Sequence, residues 1–266
     1  MNSSRGGKSK YRLRSRLIPF QHWINISSNI LLVHLYQDLY AKYSTLAFSR
    51  IDDRPIGIAG LEKRLISAFN TYGGYGVFDD GPEGGLLHRS LLWHRSSNES
   101  TLARIVFSSD RSTSVPTWSW MAYKGAIHYL DLPFDGVEWE GREIRSPWMS
   151  SVENFQIRRS DTNGSFPELS AIGRDFTLTY PNTNSREHKI IFDIPGKTDG
   201  LVTKCVVVGR SKTDQPVADK RHYVLIVSPK ATATPGGYKQ YERIGAGYMP
   251  GRGIVLSTPG VPIKVG

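Results

Sequence analysis

The chain has 266 residues, of which 39% are hydrophobic and 11% aromatic. This composition supports a folded core and excludes a disordered protein. The formal net charge is +10, and Cys205 is the single cysteine. An intrachain disulfide and a cysteine-rich zinc site are therefore excluded, and the cysteine usage fits a reducing compartment.

Neither a signal peptide nor a membrane-spanning helix is predicted. The N-terminal charges are not followed by an apolar segment, because Pro19, Gln21, His22 and Asn25 interrupt it. The apolar run at 30–33 is far shorter than the roughly 20 residues that a spanning helix needs. We therefore expect a soluble, cytoplasmic protein that is not secreted.

The first 18 residues predict a basic, disordered arm. Residues 1–20 contain no acidic side chain and six basic ones, which are Arg5, Lys8, Lys10, Arg12, Arg14 and Arg16. The other 246 residues carry the remaining charge of +4, so the basic character belongs mainly to a tail. Such a tail can contact nucleic acid or an anionic membrane, but short charge runs are more commonly solvated termini, and we favour that interpretation.

Three helices are predicted in the helical part, at about 27–95. The first spans about 29–44, capped by the segment 27–29, and its apolar face is formed by Leu32, Leu35, Tyr36, Leu39, Tyr40 and Tyr43. The second spans about 54–69, with Asp52 or Asp53 as its cap and Pro55 in its first turn. The third is short, at about 84–94, with Leu87, Leu91 and Trp93 facing inward.

From residue 100 to about 258 the pattern changes to short strands separated by turn residues. The predicted strands are 104–107, 118–123, 127–130, 154–158, 176–180, 189–192, 201–208, 223–227, 239–244 and 253–256. The region 19–266 thus predicts an α+β fold, in which a short N-terminal helical layer packs on a mostly antiparallel β-rich region.

Trp118 and Trp120 are the most distinctive pair in the sequence. If residues 118–123 form a strand, the spacing of two places both indoles on the same face. Two large rings on one face can seal a core or form a stacking platform for a ligand. We favour core packing, in which this strand anchors the helical layer onto the sheet.

Candidate reaction centres are weak throughout the sequence. The glycine-rich segments 73–76 and 245–253 lack the strand–loop–helix order of a phosphate cradle, and we interpret them as turns. His88 and His94 are six residues apart, which does not suit a metal on one helix face, and satisfied or exposed histidines are expected. Glu138 and Glu140 share a strand face near Arg142 and fit an ordinary surface strand, while Cys205 lies in an apolar strand and resembles a small hydrophobic residue. We predict no catalytic residue, no cofactor and no metal.

Four segments resemble fungal heterokaryon-incompatibility (HET-domain) proteins beyond the HET domain itself. Residues 43–44 and 53–61 are similar to "Tyr-Ser … Asp-Arg-Leu-x-Ala-Ile-x-Gly-Leu", with Pro55 and Gly57 as departures, and residues 87–93 are similar to a segment that carries Leu-Leu-Trp. Residues 115–129 resemble "Pro-Ser-Trp-Ser-Trp-Ala … Gly-x-x-x-Tyr", and residues 241–247 resemble "Tyr-x-Arg-Ile-Gly-x-Gly". The two strand motifs that mark the HET domain do not occur in these 266 residues, so no effector residue is carried over.

The resemblance implies a non-catalytic scaffold or interaction region with a role in heterokaryon incompatibility, which is fungal non-self recognition leading to programmed cell death. The expected partners are other proteins, HET-type or self/non-self factors. The structural or interaction candidates are Asp53, Arg54, Gly60, Trp93, Trp118, Trp120 and Arg243. We expect Asp53 to cap a helix, Arg54 to pair with it or a neighbour, Gly60 to allow close helix packing, and Arg243 on a terminal strand to pair an acidic partner.

Two other functions stay open at the level of sequence. One is a basic nucleic-acid-binding module that uses the arm and the two indoles. The other is an unrecognised hydrolase, which a deep pocket gathering serine with histidine and a carboxylate would favour. The sequence also leaves open whether the chain is a naturally short relative, part of a longer gene product or a decayed copy.

Overall fold

The structure is a computed structural model that describes residues 20–81, 84–97, 101–107, 115–148, 167–178, 187–196, 202–230 and 239–266, with side chains from residue 30 onward. The basic arm at 1–18 and the strand predicted at 154–158 lie outside the described residues. The remainder confirms the predicted α+β class, since helices near the N-terminus pack on strands that are mostly antiparallel. None of the described helices is long and apolar enough to cross a membrane.

Helix α1 spans Phe20–Ser44 and begins nine residues before its predicted start. The predicted caps at 27–29 therefore lie inside the helix, and that assignment was wrong. Its buried face is Val33, Tyr36 and Tyr40, at spacings of three and four. Leu35, expected on this face, is 48% exposed, because the large tyrosine rings set the rotation of the helix.

Helix α2 spans Arg54–Phe69, as predicted, with Pro55 in its first turn. A 3-10 turn, Ile51–Asp53, runs directly into it, so Asp53 has helical backbone angles and its side chain makes no capping hydrogen bond. The predicted cap was therefore wrong. Asn70 ends the helix in the left-handed conformation, and its N–H donates to the carbonyl oxygens of Ile66 and Ser67.

The glycine-rich segment after α2 forms a hairpin, as the turn interpretation expected. Strands β1 (Tyr72–Gly74) and β2 (Val77–Asp79) pair antiparallel. Tyr75 and Gly76 between them both have positive φ, at 56° and 77°, the pattern of a tight hairpin turn. The Gly76 N–H donates to buried Glu62 of α2 at 2.6 Å, which fixes the hairpin against that helix.

Helix α3 is shorter than predicted. It spans Leu86–Leu91, and the chain then turns into strand β3, Trp93–Arg95. Strand β3 pairs with β6, Ile127–Tyr129, while β4, Ala103–Arg104, pairs with β5, Tyr123–Lys124. These small ladders connect the helical layer to the main sheet.

The main sheet has eight strands. They are β7 (Val137–Trp139), β8 (Ile144–Arg145), β9 (Leu169–Gly173), β10 (Lys189–Phe192), β11 (Lys204–Ser211), β12 (Arg221–Pro229), β13 (Gln240–Pro250) and β14 (Val261–Val265). Their order is β7-β11-β12-β13-β14-β9-β8, with β10 also paired to β13. Each pairing is antiparallel except β13 with β14.

The predicted strand at 189–192 coincides with β10, and those at 201–208, 223–227 and 239–244 locate β11, β12 and β13. The strand predicted at 253–256 is instead a 3-10 turn, Gly251–Gly253, followed by a single bridge at Ile254. Of the strand predicted at 176–180, Phe176 makes a single bridge and residues 179–180 lie outside the described part. Strands β9 and β14 were not predicted.

The central strands are covered on both faces. Along β11 and β12, alternate residues belong to two separate cores, as the two-residue period of a strand requires. Val206, Val208 and Leu225 face the helical layer, whereas Cys205 and Val207 face the smaller core beneath. The continuous apolar runs in the sequence follow from this double burial.

The helix-packing glycine is Gly57 and not, as expected, Gly60. A Cβ added to Gly57 would lie 2.6 Å from the hydroxyl oxygen of Tyr43 on α1, whereas a Cβ on Gly60 would meet nothing within 4 Å. The Tyr43 hydroxyl donates to the Arg54 carbonyl oxygen at 2.9 Å. Gly57 thus permits the contact by which α1 meets the start of α2.

Gly60→Ala and Gly57→Ala form a matched pair on α2. We expect Gly60→Ala to raise the free energy of unfolding by about 0.5–1 kcal/mol, since alanine restricts the unfolded chain and nothing opposes its methyl group. Gly57→Ala should leave the free energy of unfolding unchanged or should lower it, because its methyl group displaces Tyr43 from Arg54. Chemical denaturation measures both variants, and an equal gain for the two would contradict the described packing of Tyr43.

Candidate functional site

Trp118 and Trp120 do not lie on a strand, so that prediction was wrong. The chain turns after Pro116 and forms a 3-10 helix at Trp120–Ala122, because Ser119 caps it by accepting the Met121 N–H at 3.1 Å. Both indoles are nevertheless fully buried. They have different neighbours, since Trp118 meets Tyr75 and Trp120 meets Tyr40 of α1.

Arg54 joins three parts of the chain through its guanidinium group, which is 1% exposed. It donates to the carbonyl oxygens of Ser44 at 2.7 Å, Gly125 at 3.4 Å and Tyr123. It also lies over the Trp120 ring, 5.2 Å from the centroid. These hydrogen bonds run to carbonyl oxygens, whereas the sequence suggested a pair with Asp53 or a neighbouring residue.

Burial lowers the pKa of Arg54 to about 10, and Tyr43 opposes that shift. The guanidinium group is still a cation at neutral pH. Its charge is therefore held in the interior by carbonyl dipoles and an indole face. We call Arg54 with Trp120 the first clamp, because it fixes the end of α1 and the start of α2 to strand β5.

Arg243 forms a second clamp with Trp93. Its guanidinium carbon lies 3.1 Å from the centroid of the Trp93 ring, and its Nη2 donates to the Trp93 carbonyl oxygen. The Trp93 indole N–H donates to the Trp118 carbonyl oxygen at 2.9 Å. Arg243 was expected on a terminal strand, but β13 is an interior strand, paired on one side with β12 and on the other with β10 and β14.

The acidic partner of Arg243 is Asp193, at 3.3 Å between Nη1 and Oδ2, with both side chains almost fully buried. Neither carboxylate oxygen accepts a well-formed hydrogen bond from the described residues. Burial raises the pKa of Asp193 to about 6, against the opposing charges of Arg243 and Arg95. A cavity of about 40 Å³ beside the pair, also lined by Arg104 and Tyr123, has room for about one water molecule.

The remaining predicted residues do not join the two clamps. Cys205 is fully buried, and burial raises the pKa of its thiol to about 12, so it behaves as a small hydrophobic residue. His94 lies on β3, and its Nδ1 is 2.7 Å from the Arg95 carbonyl oxygen. Gly245 and Gly247 were interpreted as turn residues, and this was wrong, because both lie within β13 where β10 passes close to the backbone.

His88 was expected to be exposed or satisfied, and it is buried with incomplete hydrogen bonding. It is 1% exposed and stacks on Trp139 with ring centroids 5.2 Å apart. Burial lowers its pKa to about 4, so the ring is neutral at physiological pH. Weak hydrogen bonds to backbone groups of Gly84 and Glu140 oppose that shift, and neither ring nitrogen makes a hydrogen bond of normal distance and angle within the described part of the chain.

His88 lines an open groove of about 720 Å³ together with Asp79 and Ser146. Glu138, on the groove's edge, forms two hydrogen bonds with Arg210 at 2.7 and 2.9 Å, in line with the surface strand predicted for it. The Ser146 hydroxyl donates to the Asp79 carboxylate. Sequence reasoning missed this groove because Asp79 and His88 precede Ser146 by 58 residues or more in the chain, with no shared motif.

Within the described ranges, no group of three or more histidine, cysteine, aspartate or glutamate side chains is placed to hold a metal ion.

Comparison of the whole chain with protein-family models, with curated proteins and with solved structures finds no match.

The Asp193 carboxylate gives stability a specific pH dependence. Its folded pKa of about 6 exceeds the unfolded value of about 3.9, so the folded state holds this proton more tightly. The resulting contribution to the free energy of unfolding is full below pH 4 and is lost as the pH rises through 6. It amounts to about 3 kcal/mol at most.

Asp193→Asn removes this titration while keeping the side-chain volume. Relative to Asp193→Asn, we expect the wild-type protein to lose stability between pH 4 and about 6.5, measured by urea denaturation at several pH values. Asp219→Asn is the control, because Asp219 pairs with Arg252 at the exposed surface and its loss should matter little. A flat difference, or one that grows with pH, would show that the Asp193 pKa is not raised.

Proposed function

We propose that this chain is a non-catalytic scaffold or interaction region of a HET-type protein, with a role in heterokaryon incompatibility. One observation supports the proposal above the others. The four segments that resemble the HET-protein family, far apart in the sequence, meet in one buried cluster built on the two clamps. Residues that carry the resemblance are thus engaged in holding the fold together.

The contacts between these segments form a continuous chain. Arg54 donates to Ser44, which lies in the first segment, and packs on Trp120 of the third. Trp93 of the second segment donates to Trp118 of the third. Arg243 of the fourth segment packs on Trp93, so each segment contacts at least one other.

Burial of these side chains favours a structural role over a chemical one. Trp93, Trp118 and Trp120 have no exposed surface, and Arg54 and Arg243 are each 1% exposed. A side chain that acts on a substrate must reach the reacting group. These five residues instead use their hydrogen bonds and ring faces on one another and on the backbone around them.

The nucleic-acid alternative loses one of its two supports. Bases stack on exposed aromatic faces, whereas Trp118 and Trp120 are fully buried. Its other support, the basic arm, lies outside the described residues.

For the hydrolase alternative, the structure brings together the residue types of a catalytic site without the hydrogen bonds that connect them in one. Ser146, His88 and Asp79 line one groove, but the Ser146 hydroxyl donates to Asp79, and neither nitrogen of His88 is hydrogen-bonded to Ser146 or to Asp79. Activation of a serine nucleophile requires the base to hold the serine proton and the carboxylate to orient the base. The groove therefore favours ligand binding over nucleophilic catalysis.

Arg54→Lys tests the scaffold part of the proposal. Lysine keeps the charge but cannot supply the planar fork that reaches three carbonyl oxygens. We expect a loss of about 2–3 kcal/mol in the free energy of unfolding, because buried acceptors lose a charged donor. Arg64→Lys, on the exposed face of the same helix, is the matched control and should change stability by less than about 0.5 kcal/mol. Equal stability of the two variants would contradict a clamping role for Arg54.

Co-expression in a fungal host tests the functional part. The chain is produced together with HET-domain proteins of its own source, and we expect it to copurify with at least one of them and to change the frequency of cell death. One control is each HET-domain protein expressed alone. The other is the Arg54→Lys variant, kept above its unfolding temperature. Absence of both a partner and an effect on cell death would contradict the proposal.

A further inference from the structure

The groove beside α3 has the size and lining of a small-molecule site. It measures about 720 Å³ and lies between α3, the end of β2, and the strands β7, β8 and β11. Binding sites for small ligands commonly occupy 300–1,000 Å³ and contain a few convergent polar groups. The groove does not touch either clamp, so it is independent of the scaffold proposal.

His88 is a fully buried polar group with incomplete hydrogen bonding at the floor of this groove. A neutral imidazole has one donor and one acceptor nitrogen, and here both are buried with only poorly aligned backbone groups of Gly84 and Glu140 nearby and no hydrogen bond of normal geometry to a described residue. Buried polar groups in native proteins are nearly always satisfied, and an exception calls for a reason. Because His88 lines the groove, a ligand entering it can supply the missing partner.

Asp79 and Ser146 add acceptors to the same floor. The Asp79 carboxylate is held in place by the Gly81 N–H at 2.8 Å and by the Ser146 hydroxyl. Since the serine uses its proton on Asp79, its oxygen is left as an acceptor. The floor therefore offers one imidazole donor and several acceptors, a set that matches hydroxyl groups. The negative charge of Asp79 disfavours an anion at this depth.

The rim carries the glutamates Glu138 and Glu140 and three arginines, of which two are unpaired within the described residues. Arg142 and Arg145 both line the groove and are exposed, and neither forms an ion pair within the described residues. The third cation, Arg210, is occupied by Glu138, and lies 3.7 Å from Glu140. Arginine forks match carboxylate and phosphate oxygens in geometry, so the rim favours the acidic end of a ligand.

We propose that this groove binds a small hydroxylated organic acid, with its hydroxyl groups on His88 and Ser146 and its carboxylate or phosphate on Arg142 and Arg145. The length of the groove separates the two ends of the ligand. A sugar acid and a sugar phosphate share this chemistry and differ in the anionic group. Binding of either would stand whether or not the chain acts with HET-type proteins.

The experiment uses the full chain with four probes, which are gluconate, glucose 6-phosphate, glucose and inorganic phosphate. Nuclear magnetic resonance of histidine-labelled protein follows the His88 ring, and calorimetry gives the affinity. We expect at least one of the two acids to shift the His88 signal and to bind about tenfold or more tightly than glucose or inorganic phosphate, since each of those lacks one half of the ligand.

Three variants separate binding from folding. The double variant Arg142→Gln/Arg145→Gln should weaken binding of the acid about tenfold or more. The control Lys63→Gln/Arg64→Gln removes the same charge from the exposed face of α2 and should leave the affinity unchanged. His88→Phe keeps a ring against Trp139 and removes both nitrogens. It should abolish binding while the unfolding temperature of the free protein stays equal or rises, because only poorly aligned hydrogen bonds are lost.

Three results would overturn the proposal. One is a His88 signal that stays unchanged with both acids up to about 10 mM, a concentration that detects even weak sites. Another is glucose binding as tightly as the acids, which would remove the role of the arginines. The third is full affinity in the Arg142→Gln/Arg145→Gln protein, which would place the ligand elsewhere on the chain.

Discussion

The structure depends on keeping two guanidinium cations in an interior that excludes water. A buried charge is costly unless dipoles, hydrogen bonds or a counter-charge replace its hydration. Arg54 has three carbonyl oxygens and the Trp120 ring, and Arg243 has a carbonyl oxygen, the Trp93 ring and Asp193. Each arrangement requires segments from different parts of the chain to be in place together, so the clamps specify how the helical layer sits on the sheet.

The two clamps differ in how well the buried charge of the arginine is compensated. Arg54 faces neutral dipoles that change little with pH. Arg243 depends on Asp193, whose carboxylate is fully buried and poorly hydrogen-bonded, so burial raises its pKa towards the physiological range. A buried ion pair of this kind specifies geometry more reliably than it adds stability. The indole faces lessen the cost for both cations, because the ring quadrupole attracts positive charge without needing a proton or a water molecule.

Sequence patterns predicted those elements whose signal is local. The limits of α2 follow from Pro55 and the apolar spacing, β11 to β13 follow from apolar runs covered on both faces, and β10 follows from its short apolar run. The turn at Trp118–Trp120 was missed because the side chain of Ser119 replaces a strand hydrogen bond, an effect that periodicity does not record. Strand β14 was missed because Pro262 and the exposed Val261 weaken its pattern, and its pairing with β13 and β9 is long-range. The site residues Arg54, Trp93 and Arg243 could be singled out from the sequence, but their mutual contacts could not, since up to 150 residues separate them.

The distinction between scaffold and binding site follows from where polar groups lack partners. In the clamps, donors from distant segments meet acceptors, although the Nε atoms of both arginines and the Trp120 indole nitrogen make no regular hydrogen bond within the described residues. The ring faces and, for Arg243, the charge of Asp193 compensate the two cations. At His88 the chain buries an imidazole whose nitrogens reach backbone groups only with poor geometry, although a phenylalanine or leucine at this position would fill the space against Trp139 without that cost. Because His88 lines an open groove, a ligand in that groove can complete its hydrogen bonds. The origin of the partners thus separates the two roles, since the arginines are compensated by other segments of the chain and His88 faces a space that a ligand can occupy.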